Sequence, residues 1–228
     1  MFGDMSLIQV FQASPTMLVL LACSIVTVGF AVERLMYFMS SKVDGRRFMN
    51  ELASHVKAGN PRAALEFAQR SKSPLGRVMT QAVANMNRSR EDQVQRIDTA
   101  IELEQVEMER NIGVLGTMAN IAPLLGLFGT VVGIIRAFAD IARTGSGGGA
   151  VVAMGVSEAL LTTAAGIIVA VIATVFFNIF VRRIRSRVAQ LEDARENWFS
   201  LAHQYQRQRR GTASPAAARQ AQPQPVNA

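Results

Sequence analysis

The sequence predicts an all-α membrane protein with three transmembrane helices and long helical cytoplasmic extensions. Half of the 228 residues are apolar, and they concentrate in three blocks, at residues 15–38, 112–138 and 151–181. Each block is longer than the ~20 helical residues needed to cross a bilayer core. Charged residues lie almost wholly outside the blocks. Block length and charge segregation together predict this fold class.

The distribution of basic residues predicts how the chain crosses the membrane. No Lys or Arg precedes Arg34, whereas residues 42–110 hold twelve and residues 182–228 hold nine. Because short loops rich in Lys and Arg stay on the cytoplasmic side, we expect the N-terminus and the 139–150 loop to lie outside. The net charge of +7 is accounted for by orientation and by attraction to anionic lipids, so no nucleic-acid partner is expected.

The segments between and beside the spans have their own predicted structures. Residues 1–14 mix apolar and polar positions, which favours an amphipathic segment on the outer surface. Residues 39–111 form a cytoplasmic helical region, and residues 182–209 form a cytoplasmic helix. Residues 210–228 are rich in Ala, Pro, Gln and Ser, a composition that predicts a disordered tail.

Capping signals divide the cytoplasmic region into helices. Starts are predicted at Asn60 with Pro61, at Ser73 with Pro74, and at Ser89 in the run Ser-Arg-Glu-Asp. From Ser89 no Pro or Gly occurs until Gly113. We therefore expect one helix of ~50 residues, about 75 Å long, that continues from Ser89 through the second span.

Catalytic and metal chemistry find no support in the sequence. The only cysteine, Cys23, lies in the first apolar block, and His55 and His203 are far apart outside the spans. The glycine-rich run at residues 145–149 lacks the Lys-Ser/Thr of a phosphate-binding loop and favours a flexible turn. We expect no catalytic residue, no metal site, no cofactor and no enzymatic activity.

Small residues in the second span predict close helix packing. Gly126, Gly129 and Gly133 lie on this span, and the last two form a GxxxG pair that lets two helices approach closely. Pro123 removes a backbone donor and should bend the helix locally. A further run of small residues in the third span suggests that several copies pack around a shared interior.

Polar groups inside the last two spans are the candidate proton pathway: Thr130, Thr162, Thr163 and Glu158. A central acidic residue costs roughly 2.5–3.5 kcal/mol on the insertion scale, so it indicates function by default. Purely structural roles stay open for these groups: Glu158 could pair with Arg136 or reach water, and a helical Thr often only bonds the carbonyl one turn back. Glu158 and Thr162 share a helix face, whereas Thr163 is rotated ~140° from Glu158.

Two motifs carry a family resemblance. Residues 122–138 read APLLGLFGTVVGIIRAF, and residues 155–166 read GVSEALLTTAAG. They resemble the MotA/TolQ/ExbB proton-channel family, in its TolQ/ExbB branch. The resemblance covers all three spans, their order and orientation, and the large cytoplasmic segment after the first span. The combination of GLFGTV with EALLTTA is specific.

The resemblance implies a proton-channel subunit of a motor in the bacterial inner membrane, with the N-terminus periplasmic and the C-terminus cytoplasmic. The subunit would form a homo-oligomer, a pentamer, around single transmembrane helices of an ExbD- or TolR-like partner. That partner would bring an essential membrane aspartate, and proton flow would move it to drive outer-membrane transport or envelope maintenance. Residue by residue, the pore threonines fall on Thr130 and Thr163 and the third-span glutamate on Glu158. Thr162 stands where relatives often have alanine and ranks lower.

Departures from the family pattern keep two alternatives open. Relatives usually have Pro at Ile172 and often Trp at Val132, and Arg136 is an unusual charge for its position. The chain could therefore be a specialised motility motor subunit of the same family. A flagellar stator is less favoured, since MotA-type subunits have four spans. The other class is a non-conducting oligomeric membrane scaffold, in which the small residues only pack helices.

Overall fold

The structure is a computed structural model that describes residues 15–144 and 149–220. These residues form helices joined by short connections, and no strand occurs among them. The helices are α1 (Pro15–Ser40), α2 (Gly45–Lys57), α3 (Pro61–Arg70), α4 (Pro74–Ala84), α5 (Arg90–Glu109), α6 (Ile112–Thr144) and α7 (Gly149–Gln220). The predicted all-α fold class is confirmed.

Three helices in the described part are long and apolar enough to cross a bilayer: Pro15–Ser40, Ile112–Arg143 and Val152–Tyr205. The second is longer than predicted, because α6 continues through residues 139–144 of the expected loop. That stretch reads ADIART and contains no Gly or Pro to stop a helix. The rest of the predicted turn, residues 145–148, lies outside the described residues.

The expected continuous helix from Ser89 through the second span is wrong. Helix α5 ends at Glu109 and α6 begins at Ile112. Between them Asn111 has φ 63°, in the left-handed region. Asn is one of the few residues other than Gly that adopt this conformation readily. The break therefore needs neither Gly nor Pro, and the absence of both residues between Ser89 and Gly113 did not reveal it.

The predictions for the two ends of the chain have different outcomes. The amphipathic segment expected at residues 1–14 lies outside the described residues. At the other end α7 continues to Gln220 and so covers residues 210–220 of the stretch expected to be disordered. Four alanines between residues 213 and 218 favour helix, whereas Gly211 and Pro215 disfavour it, so composition alone does not account for this extension. Disorder at residues 221–228 stays a prediction.

The chain divides into two compact units, and the first holds all three apolar blocks. Among the described residues it comprises 15–39, 109–144 and 149–183. Met17 and Leu20 of α1 pack against Leu125 and Ala165, and a second cluster joins Ala122, Val169 and Ala170 to Cys23. Farther along, the rings of Phe38 and Phe180 stack with centroids 5.7 Å apart. Most other large apolar side chains here are exposed, as expected of surfaces that face lipid or other copies.

A buried arginine ends the apolar part of α1. Arg34 is 1% exposed and pairs with the adjacent carboxylate of Glu33. Its guanidinium also lies 4.8 Å from the ring centre of Tyr37. Arg34 packs inside the unit, where the Glu33 carboxylate and the face of the Tyr37 ring compensate its charge.

Among the described residues the second unit comprises 40–108 and 184–220. Apolar faces of α2 to α5 and the later part of α7 form its core, which contains Leu52, Val78, Met79, Ile97 and Trp198, each fully buried. Arg77 donates to both carboxylate oxygens of Glu104, and Arg195 pairs with Asp98. The ion pairs tie α4 and α7 to α5.

The predicted capping residues of the second unit bond as expected. The side chain of Asn60 accepts from the amide of Ala63, that of Ser73 from Gly76, and that of Ser89 from Asp92. Asp44 caps α2 in the same way, through the amides of Arg46 and Arg47. Each cap satisfies a first-turn donor that the helix itself leaves open.

We expect Asn111→Ala to destabilise the full-length protein relative to Asn111→Gly. Both variants remove the same side chain, but only alanine places a Cβ in the left-handed conformation, at a cost of ~1–2 kcal/mol. Thermal unfolding in detergent should therefore give a lower Tm for the alanine variant. Equal Tm values for the two variants would contradict a left-handed break at this position.

Candidate functional site

The candidate site lies within the first unit, where α6 and α7 approach so closely that only glycine fits. A Cβ added to Gly166 would lie 2.5 Å from the carbonyl oxygen of Ala122, and one added to Gly126 would lie 3.0 Å from the Cα of Thr163. Added carbons at Gly133 and Gly155 would meet the Cβ atoms of Ala159 and Ala137, at 2.8 and 2.6 Å. The two backbones are therefore in direct contact over several turns.

Close contact brings Thr130 of α6 and Thr163 of α7 together. Their hydroxyl oxygens hydrogen-bond to each other. Each hydroxyl also lies 3.1 Å from the carbonyl oxygen of Gly126. Both side chains are half-buried. The two threonines thus form one hydroxyl pair on a shared backbone acceptor, which we call the open pair.

The open pair has more than one way to place its protons. Each hydroxyl has one proton to donate and two lone pairs. Thr163 can donate to Thr130 while Thr130 donates to Gly126, or the two roles can be exchanged. In both arrangements an oxygen lone pair is left to accept a proton from a third group. Such a pair can pass a proton along by reorientation.

The third threonine, Thr162, makes its shortest hydrogen bond outside the open pair. It is 1% exposed, and its hydroxyl donates to the carbonyl oxygen of Ala159 at 2.7 Å. The Gly126 carbonyl is farther away, at 3.4 Å. On an ideal helix Thr162 and Thr163 differ by ~100° in direction. The structure therefore separates the predicted threonines into a half-buried pair and one buried residue.

Glu158 lies one helical turn from Thr162 and is half-buried. Arg136, its suggested partner, is exposed on α6. Within the residues that the structure describes, no ion pair joins the two side chains. The structure does not bring Glu158 into the hydrogen-bonded group around Gly126.

Pro123 lies inside α6, which continues through it to Thr144. Its ring lines an open apolar groove with side chains of α7. A bend at this position stays a prediction. Gly129, predicted as a packing residue, lies against Thr162: an added Cβ would be 2.6 Å from the Thr162 hydroxyl oxygen.

Sequence reasoning missed two parts of the site. One is the Gly126 carbonyl, which three hydroxyls approach; no side-chain pattern marks a backbone oxygen. The other is Thr16 in the first turn of α1, whose hydroxyl oxygen lies 3.1 Å from an added Gly129 Cβ. Thr16 is 113 positions away from Gly129 in the chain, so only tertiary structure brings them together.

Three apolar helices of spanning length, with hydroxyl groups packed between them, define a multi-pass membrane protein. Residues 70–193, which include both threonines of the open pair, match the MotA/TolQ/ExbB proton channel family. The chain belongs to this family. The resemblance identified from the sequence is thereby confirmed.

Individual relatives are similar over parts of their length. The biopolymer transport protein ExbB of Pseudomonas putida is 34% identical over 187 residues, which cover 78% of this chain and 56% of that protein. ExbB of Salmonella typhimurium is 50% identical over 86 residues, or 38% of this chain and 35% of its own. The Tol-Pal system protein TolQ of Pseudomonas aeruginosa is 32% identical over 104 residues, or 46% and 45%. The chain thus spans about half of these relatives' length or less.

Gly166→Ala should disrupt the contact between α6 and α7. The new methyl group would overlap the Ala122 carbonyl oxygen and the backbone of Gly126, and overpacking of this kind typically costs ~1–3 kcal/mol. We expect a lower Tm of the full-length protein in detergent. Gly113→Ala is the matched control, because nothing lies within 4 Å of its added carbon and alanine favours a helix. A Gly166→Ala variant as stable as the control would contradict the contact.

Proposed function

We propose that the chain is the proton-channel subunit of an inner-membrane motor that couples proton flow to movement of a partner protein. The open pair, two threonines hydrogen-bonded across the α6–α7 contact, is the observation that carries this proposal. Membership of the MotA/TolQ/ExbB proton channel family supports it independently. A proton relay needs polar groups at bilayer depth, where hydrocarbon offers none.

In the proposed pathway Thr130 and Thr163 are the hydroxyls that receive and return the proton. Their half-buried state allows one side of the pair to remain accessible to a further polar group. Glu158 contributes a carboxyl ~7.5 Å along α7 from Thr163, because it precedes Thr163 by five residues. A carboxylate there would attract protons toward the pathway. The electrical driving force is ~2.3 kcal/mol per charge per 100 mV.

The titrating group that completes the relay is proposed to come from another chain. None of the three predicted spans contains an Asp. A partner similar to ExbD or TolR, with one membrane helix and an aspartate, would supply that group. Several copies of this chain, five by analogy with the family, would surround the partner helix with their second and third spans.

The proposed location is the bacterial inner membrane, with the N-terminus in the periplasm and the C-terminus in the cytoplasm. The asymmetry of basic residues supports this orientation. The polar helices α2 to α5 and the end of α7 would then lie on the cytoplasmic side. Movement of the partner would reach the periplasm and serve outer-membrane transport, envelope maintenance or motility.

Thr163→Ala should abolish proton flow without loss of assembly. The substitution removes one hydroxyl of the open pair and breaks the relay, so we expect flux to fall by about tenfold or more. The measurement uses the complex purified through the full-length chain and reconstituted in liposomes. Proton entry is followed with a pH-sensitive dye under a potassium diffusion potential.

Thr174→Ala is the matched control for Thr163→Ala. Thr174 lies on the same helix, but its hydroxyl only donates to the carbonyl oxygen of Ala170 one turn back. Its loss should leave the flux unchanged. Equal flux in wild type, Thr163→Ala and Thr174→Ala would exclude a role for the open pair and favour the non-conducting scaffold.

Purification of the full-length chain from its own membranes in mild detergent should also recover the partner. We expect a co-purifying protein with one apolar span that contains an Asp, since none of the predicted spans of this chain contains one. Native mass spectrometry would give the number of copies of each chain. A homo-oligomer with no such protein bound, in preparations that retain lipid, would count against the motor.

A further inference from the structure

Thr162 belongs to a contact that is different from the open pair. Its side chain fills the space that Gly129 leaves empty: a Cβ at Gly129 would lie 2.6 Å from the Thr162 hydroxyl oxygen and 2.9 Å from the Thr162 Cβ. Gly129 is itself buried. The Thr162 side chain therefore occupies the space that any side chain at residue 129 would need.

The first helix takes part in the same contact. The hydroxyl oxygen of Thr16 lies 3.1 Å from the added Gly129 Cβ. One residue farther, Met17 is 5% exposed and belongs to the cluster that packs against Leu125 and Ala165. The start of α1 therefore meets α6 and α7 at the level of Gly129.

We propose that Thr16, Gly129 and Thr162 form a size-matched packing node that holds α1, α6 and α7 together and positions the open pair. The node acts through the backbone of α6, because Gly129 lies in the same turn as Gly126, whose carbonyl both members of the open pair contact. In this role the Thr162 hydroxyl takes no part in proton transfer. The inference rests on the proposed function and assigns Thr162 a positioning role within it.

Burial and hydrogen bonding distinguish Thr162 from a relay residue. At 1% exposure it has no side open to a partner helix or to water. Its single proton is used in the 2.7 Å bond to the Ala159 carbonyl, the local bond that a helical Thr commonly makes. Thr130 and Thr163, in contrast, are half-buried and bond to each other.

The node predicts a specific pattern of damage and rescue. Gly129→Ala should force α6 and α7 apart and displace the Gly126 carbonyl, so flux per assembled complex should fall severalfold or more and Tm should drop. Thr162→Ala removes the hydroxyl oxygen nearest to the new methyl group, so the double variant should recover flux and Tm in part. Thr162→Ala alone should lower flux less than Thr163→Ala does, because the Thr162 hydroxyl takes no part in proton transfer.

The matched control is Thr163→Ala in the same Gly129→Ala background. Thr163 lies against Gly126 and not against Gly129, so its truncation should rescue neither property. All variants are measured as full-length complexes in liposomes, with flux divided by the amount of assembled complex. A purely structural defect would lower that amount and leave the flux per complex unchanged.

Three results would overturn the node. One is a loss of flux in Thr162→Ala as large as in Thr163→Ala, because the hydroxyl would then be part of the pathway. Another is no rescue of Gly129→Ala by Thr162→Ala, and the third is equal rescue by Thr163→Ala. Rescue of Gly129→Ala by Thr162→Ala and by Thr163→Ala is also measured as Tm. These two outcomes can therefore be determined even if the protein conducts no protons. Failure of the proposed function is seen separately, as wild-type flux no higher than in empty liposomes.

Discussion

The direct backbone contact between α6 and α7 is the constraint on which the rest of the membrane unit depends. It is possible because Gly126 and Gly166 lack side chains where the two helices meet. In a bilayer the hydrophobic effect does not drive helices together, so van der Waals contact and hydrogen bonds must do so. Close approach of α6 and α7 increases their van der Waals contact and brings hydroxyl groups of the two helices within hydrogen-bonding distance.

The same contact accounts for the presence of hydroxyl groups in an apolar unit. With an ordinary side chain at Gly126, the two helices would stand farther apart and Thr130 could not reach Thr163. Each threonine would then bond only within its own helix. Close packing thus converts two locally satisfied hydroxyls into one group shared between helices, which is the minimum that a proton relay requires.

Sequence reasoning was strongest where a pattern is long and local. Apolar blocks and capping residues predicted the fold class, and the motifs around Thr130 and Thr163 led to the family. It failed at Asn111, because a left-handed residue other than Gly leaves little local signal. The family pattern ranked Thr162 below Thr163, but the sequence could not show how deeply either residue is buried. Packing against Gly129 and Thr16 shows that Thr162 is enclosed, whereas Thr163 is half-buried.

Accessibility of the open pair to water-borne ions tests its proposed place in a polar pathway most directly. In a Cys23→Ala background, Thr163→Cys should react with silver ions added to membranes that contain the assembled complex. Leu161→Cys lies two residues away, ~160° around the helix from residue 163, and is exposed. It should not react, because the face opposite the open pair is expected to contact hydrocarbon. Reaction at residue 163 alone is the result expected of a polar interior. Reaction at 161 with protection at 163 would contradict it.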